Sequence, residues 1–213
     1  MKRKDYSSKD ITVTFDLGRC IHSRNCFLQL PEVFDPSKRP WVQADNAAAD
    51  DIAATIRACP SGALAFKRAD GSAEKPPKIN RLAIWENGPL IVAGEISVEG
   101  ADPETRVAMC RCGASKNKPY CDGSHVEAGF KTTGEPTPKS PPTNDDQGGG
   151  ALVSRVPDGP LKVEGNLEIC TGTGKRIAKT SKAFLCRCGA SKNKPFCDGS
   201  HKEIGFQDSV KPN

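Results

Sequence analysis

The chain has 213 residues, of which 36% are hydrophobic and 6% aromatic, with 17 prolines and 20 glycines. That is thin for one large core and suits small units held together by cofactors. Its net charge of +5 comes from 31 basic and 26 acidic residues, scattered rather than gathered into the aromatic-interleaved stripe that nucleic acid selects.

Ten cysteines would suit a secreted disulfide framework. The opening MKRKDYSSKD is basic, however, no apolar h-region follows it, and no apolar run is long enough to span a membrane. The expectation is a cytoplasmic protein, without nucleic-acid or membrane partners, whose reduced thiols bind metal.

Residues 1–10 read as loose and polar. ITVTFD (11–16) alternates like a half-buried strand. Cys20 and Cys26 follow, then the apolar FLQLPEVFD and a strand at PWVQ (40–43). DDIAATIRAC (50–59) has acids at its start and apolar residues at helical spacing; Pro60-Ser61-Gly62 breaks it, and ALAFK (63–67) closes as a strand. The order fits a small α+β ferredoxin-like domain over residues 1–70. The C-x5-C pair with a distant Cys59-Pro60 is a bacterial ferredoxin pattern lacking one ligand, with Ser23 in the second ligand position. With LPEVFD and CPSGAL included, residues 11–68 resemble the divergent single-cluster ferredoxins. The resemblance implies a [3Fe-4S] or [4Fe-4S] cluster on Cys20, Cys26 and Cys59. His22 stands beside the gap as a candidate fourth ligand. Against this stand three structural thiols and a solvent-facing His22.

A Pro-rich linker (69–80) precedes a unit over 81–130 and its repeat over 151–213, separated by KTTGEPTPKSPPTNDDQGGG (131–150), read as a flexible linker. Each unit opens on alternating apolar residues around a Gly-Pro-Leu. The second copy has five more residues before its first motif cysteine, which a longer turn around TGTGK would absorb. Cys170 has no counterpart and reads as structural. Phe130 and Phe206, in the matching tails VEAGF and KEIGF, are expected to pack under their own motifs.

The repeated core is CRCGASKNKPYCDGSH (110–125) and CRCGASKNKPFCDGSH (186–201), differing only at Tyr120 and Phe196. Packing alone tolerates more drift than this, whereas a metal centre fixes ligands, spacing and surroundings together. The spacing C-x-C-x8-C-x3-H offers Cys110, Cys112, Cys121 and His125, then Cys186, Cys188, Cys197 and His201. Three cysteines and a histidine suit an iron–sulfur cluster or a zinc ion; the single-residue gap in C-x-C is unusual for structural zinc. A disulfide reading leaves the histidines without a role. Asp122 reads as the N-cap of a short helix ending near Gly129, with His125 in its first turn.

This run resembles the CDGSH iron–sulfur (NEET) family, which implies a [2Fe-2S] cluster on each set of four residues. Two motifs in one chain resemble the tandem branch, in which the halves of a monomer form an intramolecular pseudo-dimer. With no P-loop, no GxGxxG and no spare histidine beside a nucleophile, an enzyme is not expected. Electron transfer through three clusters to a redox partner protein is the leading expectation. The alternatives are delivery of clusters to apo-protein acceptors and a zinc-stapled interaction module. Arg111, Lys116, Lys118, Arg187, Lys192 and Lys194 would offset cluster charge or form an ordinary solvated basic turn.

Overall fold

The computed structural model describes residues 3–136 and 149–208. The chain divides into two compact units, Met1–Lys75 and Pro76–Asn213, and both motif copies lie in the second. The fold is mostly β with few helices.

In the first unit, β1 (Arg3–Ser7), β2 (Ile11–Asp16) and β3 (Leu64–Arg68) form an antiparallel sheet in that order. The amino-terminal segment is therefore a strand, not a loose tail. Its alternation is hidden in RKDYS because an edge strand buries one side chain here, Tyr6. Two helices, α1 (Asn25–Gln29) and α2 (Ala49–Arg57), fill the connection between β2 and β3. Ile52 and Ile56 of α2 are fully buried with Val13, Val33 and Phe34. The strand expected at 40–43 reduces to one bridge, Phe34 to Val42. Trp41 there is held by packing instead, with the Phe15 ring 4.7 Å and the Phe34 ring 5.8 Å away.

In the second unit, β4 (Arg81–Ile84), β5 (Leu90–Val98) and β6 (Glu104–Met109) belong to the first copy. The second copy supplies β7 (Ala151–Arg155), β8 (Leu161–Cys170) and β9 (Arg176–Leu185). Each copy is an antiparallel meander. The copies also exchange their first strands: β4 runs parallel to β8 and β7 runs parallel to β5. The alignment that places Gly88 on Gly159 carries Leu82 onto Val153 and Val98 onto Ile169. The pairs Leu82↔Ile169 and Val98↔Val153 are thus one contact seen from two sides. Leu82, Ile84, Ile96, Leu161 and Ile169 fill the shared core.

To change partners midway, β5 and β8 must bend, and both ladders are irregular at Ala93/Ile96 and Glu164/Leu167. Gly94 (φ 150°) and Gly165 (φ 116°) occupy these bends. A Cβ on Gly94 would lie 2.1 Å from Asn80 Oδ1, and one on Gly165 would lie 2.4 Å from the Gly150 carbonyl oxygen. Asn80 is buried there, donating to the Gly149 and Asn166 carbonyls and accepting from the Glu95 N–H. Gly94→Ala or Gly165→Ala should cost roughly 2 kcal/mol or more, from left-handed strain plus overlap. A chemical-denaturation midpoint unchanged in both variants would contradict this.

The loops joining β5 to β6 (99–103) and β8 to β9 (171–175) are equally long. The second copy's extra residues therefore lengthen its ladder: β9 has 10 residues against 6 in β6, and β8 has 10 against 9 in β5. TGTGK is the turn, but not a longer one. The added pairs satisfy their backbone and bury Ile177 and Ala178. Cys170 ends β8, buried and paired with Ala83 of β4. Residues 131–136, expected as the start of a flexible linker, are tied in. The Asn87 and Gly172 N–H groups donate to the Thr132 and Gly134 carbonyls, and the Thr173 hydroxyl donates to Glu135. The remainder of that linker, 137–148, lies outside the described residues.

Candidate metal centres

Each motif begins where its last strand ends. The Cys110 N–H donates to the Pro119 carbonyl and the Cys121 N–H to the Ala108 carbonyl, both at 2.8 Å. This bridge brings the C-x-C pair and the third cysteine to one end of β6. The second copy repeats it, from Cys186 to Pro195 and from Cys197 to Phe184. Asp122 then closes the turn: its carboxylate accepts from the Lys116 and Ser124 N–H groups and the Ser124 hydroxyl. Asp198 does the same with Lys192 and Ser200. These bonds hold both carboxylates below the usual range, for Asp122 against the opposing effect of burial. The expected helix is a single turn, assigned as α3 (Ser200–Glu203) only in the second copy.

The donors come in pairs. Cys110 Sγ lies 3.8 Å from Cys112 Sγ, and Cys121 Sγ lies 3.4 Å from His125 Nδ1. The second motif gives 3.8 Å for Cys186–Cys188 and 3.3 Å for Cys197–His201. Metal–sulfur bonds of about 2.3 Å at a tetrahedral ion separate two sulfurs by about 3.8 Å, and a sulfur from a nitrogen by slightly less. Each pair therefore spans one edge of a metal tetrahedron. Among the described residues, no three Cys, His, Asp or Glu side chains converge on a single ion. Each motif thus presents one Cys/Cys pair and one Cys/His pair.

Backbone N–H groups point at the sulfurs: Ala114 to Cys112 and Gly123 to Cys121, both at 3.4 Å, and Ala190 to Cys188 at 3.5 Å. Such bonds favour thiolate. The hydrogen bond shared with Cys110 pulls the Cys112 thiol down to about 7 and pushes Cys110 up, with burial adding to the rise. Burial pushes Cys121 up to about 11. Cys110, Cys121 and Cys186 are buried, while Cys112, Cys188, Cys197, His125 and His201 are half-buried.

The arginines are neither solvated nor part of a basic turn. Arg111 and Arg187 are 1% exposed. Arg111 donates to the carbonyls of Gly88, Trp85 and Thr133, and lies over the Phe130 ring at 5.5 Å. Arg187 donates to the Gly159 and Val156 carbonyls and lies over the Phe206 ring at 5.3 Å. Burial brings Arg111 down to about 10, opposed by the thiols of Cys186 and Cys112. The lysines also bond locally, Lys118 to the Ser115 carbonyl and Lys194 to that of Ser191. The phenylalanines expected under the motifs thus stack on the arginines that brace them.

The two motifs meet back to back. A Cβ on Gly113 (φ 82°) would sit 2.5 Å from the Cys188 carbonyl oxygen, and one on Gly189 (φ 84°) would sit 2.4 Å from that of Cys112. Identity between the copies at these glycines and arginines was the only sequence signal of their roles.

In the first unit, Cys20 follows a 3-10 turn, Cys26 lies in α1 and Cys59 follows α2. The Asn25 amide donates to the Ala58 carbonyl at 2.8 Å and Arg19 to the Ser61 carbonyl at 3.2 Å, tying the C-x5-C loop to the Cys59-Pro60 segment. Burial raises the Cys20 and Cys26 thiols, and Cys59 is near enough to add to both. His22 and Arg24 adopt left-handed backbone. The exposed His22 ring lies with Nδ1 3.9 Å from Cys20 Sγ.

Comparison with known proteins agrees with this division. The divergent 4Fe-4S mono-cluster family matches residues 6–69, and the iron-binding zinc finger CDGSH type matches residues 87–126 and 158–202. Uncharacterized protein YjdI of Escherichia coli (strain K12) is 32% identical over 62 residues, 29% of this chain and 82% of that protein. CDGSH iron-sulfur domain-containing protein 2 homolog of Drosophila erecta is 47% identical over 61 residues, 29% of this chain and 43% of that protein. With paired Cys/Cys and Cys/His donors in two near-identical motifs, the chain belongs to the CDGSH iron–sulfur family, in tandem form behind a divergent single-cluster ferredoxin-like domain.

Proposed function

We propose that the chain is an electron-transfer protein with three clusters. Cys110, Cys112, Cys121 and His125 hold one [2Fe-2S] cluster, and Cys186, Cys188, Cys197 and His201 hold a second. Cys20, Cys26 and Cys59 hold a [3Fe-4S] or [4Fe-4S] cluster. The observation that carries this reading is the donor spacing, 3.8 Å within each C-x-C pair and 3.3–3.4 Å within each Cys–His pair. When bound, each cluster supplies a one-electron couple. The chain's residues set its character. Three thiolates and a neutral imidazole leave less negative charge than four thiolates, which favours electron uptake. N–H···S bonds hold the cysteines, and the half-buried ligands, both histidines among them, are those open to a redox partner protein. The reciprocal strand pairs support an intramolecular pseudo-dimer within a monomer. All ten cysteines are free thiols, which suits a reducing, cytoplasmic setting. No described helix is long and apolar enough to cross a membrane.

A second reading, delivery of clusters to apo-proteins, is favoured by those same half-buried histidines, which a partner can reach. Transfer of iron and sulfide to an apo-ferredoxin, against electron transfer to an oxidised one, separates the two.

The test of the metal assignment is composition. Anaerobically purified protein should hold about seven or eight iron per chain with matching inorganic sulfide. Cys20→Ser, Cys26→Ser or Cys59→Ser should each remove about three or four of them and spare the rest. Zinc without sulfide would defeat the reading.

A further inference from the structure

The two motifs repeat one another's bonds, but the residues behind their arginines differ in charge. Arg111 donates only to neutral carbonyls, of Gly88, Trp85 and Thr133, and no carboxylate among the described residues pairs with it. Arg187 keeps the two equivalent carbonyls but gives its third hydrogen bond to Asp208 Oδ2. The Asp208 side chain is 4% exposed, and its other oxygen, Oδ1, has no hydrogen-bond partner among the described residues.

Asp208 stands where the first copy has Thr132. The Thr132 N–H donates to Asn87 Oδ1 at 2.9 Å, and the Asp208 N–H donates to Asp158 Oδ1 at 2.8 Å. A neutral Asn/Thr pair in one copy is thus an Asp/Asp pair in the other. Arg155, in the place of Ile84, brings one compensating cation, its NH1 3.9 Å from Asp208 Oδ2. Among the described residues Arg111 has no carboxylate partner, whereas Arg187 and Arg155 both face the buried Asp208, with the exposed Asp158 hydrogen-bonded to its N–H. The second copy therefore sets a buried, weakly screened carboxylate directly against its motif's arginine, where the first copy has none among the described residues. Net charge near a cluster is among the determinants of its reduction potential.

We propose that Asp208, with Asp158, makes the two Cys3His centres electrically unequal, so that they take up electrons at two separate potentials. The inference rests on the cluster reading above. Each centre accepts one electron from an external reductant, and no bond is made or broken. Asp208 is a positioning and tuning residue, acting through Arg187. The inequality gives two otherwise matched centres an order of filling.

The experiment is anaerobic potentiometry of the full-length holo-protein with dithionite as reductant, followed by visible absorbance and EPR. The wild type should show two midpoints for the Cys3His centres. Asp208→Asn, alone and with Asp158→Asn, should move at least one midpoint upward, move neither downward, and narrow the gap. Thr132→Asp, placing the carboxylate behind Arg111 instead, should move at least one midpoint downward and also narrow the gap. This variant alters the other copy, so it stands even if the Asp208 variants do not fold. One shared midpoint in the wild type, or a gap that neither change alters, would overturn the proposal while leaving the clusters in place. Absence of iron and sulfide from the wild type would overturn the cluster reading itself, and the inference with it.

Discussion

Gly113→Ala is expected to strip iron from both motifs, although it alters only one. The Cβ it adds would meet the Cys188 carbonyl oxygen at 2.5 Å and its carbonyl carbon at 2.9 Å. Both are backbone atoms that no rotamer change can move aside. The left-handed conformation at φ 82° adds about 1 kcal/mol for any residue with a Cβ. Together these should cost roughly 3 kcal/mol or more. The displaced atoms belong to Cys188 of the other motif, which should lose its 3.8 Å relation to Cys186. Gly189→Ala should act on Cys112 in the reverse direction. Iron, sulfide and visible circular dichroism should report loss from both Cys3His centres in either variant, with the ferredoxin-like domain's iron unaffected. Loss confined to the substituted motif would show that the back-to-back packing is not a constraint on the ligands.

Replacing both histidines, His125→Cys with His201→Cys, should lower both potentials by roughly 200 mV or more, because a fourth thiolate restores the charge that imidazole removes. It should also change the response to acid. A neutral imidazole nitrogen binds metal and a protonated one does not, so falling pH sets protons against iron at that ligand. Burial holds His125 below the usual imidazole range. Proton competition at the first motif is therefore expected to set in below that range, and to grow as pH falls further. Wild-type cluster absorbance should decay faster by up to about tenfold per pH unit there. The cysteine variant should show a shallower dependence over the same interval. Identical decay profiles and unchanged potentials would exclude the histidines as ligands.

The candidate site was legible because three cysteines and a histidine recur at one fixed spacing in two nearly identical runs. The helix α2 and strands β2 and β3 were legible from periodicity, since each buries one face. β1 was not, because RKDYS is an edge strand with four exposed residues. PWVQ reads like a strand but makes one bridge, its tryptophan being held by neighbouring rings. The burial of Arg111 and Arg187 was invisible because sequence shows a charge and not the carbonyls that converge on it. The exchange of β4 and β7 was hidden for a related reason: RLAI and ALVSR declare strands without declaring partners. Residues 131–136 have a linker's composition, yet carbonyls of Thr132 and Gly134 satisfy N–H groups elsewhere in the unit.

That exchange has a bearing on what dilution can do to the molecule. Each copy fills the middle of its sheet partly with the other's first strand, so neither has its full set of strand neighbours alone. Between separate chains such an arrangement would form at a rate and to an extent set by protein concentration, and would come apart on dilution. Within one chain the second copy is always present, at an effective concentration of the order of millimolar for a short connection. The unfolding midpoint should therefore be the same in a micromolar and a nanomolar sample, and a centre assembled in one molecule should not exchange halves with its neighbours.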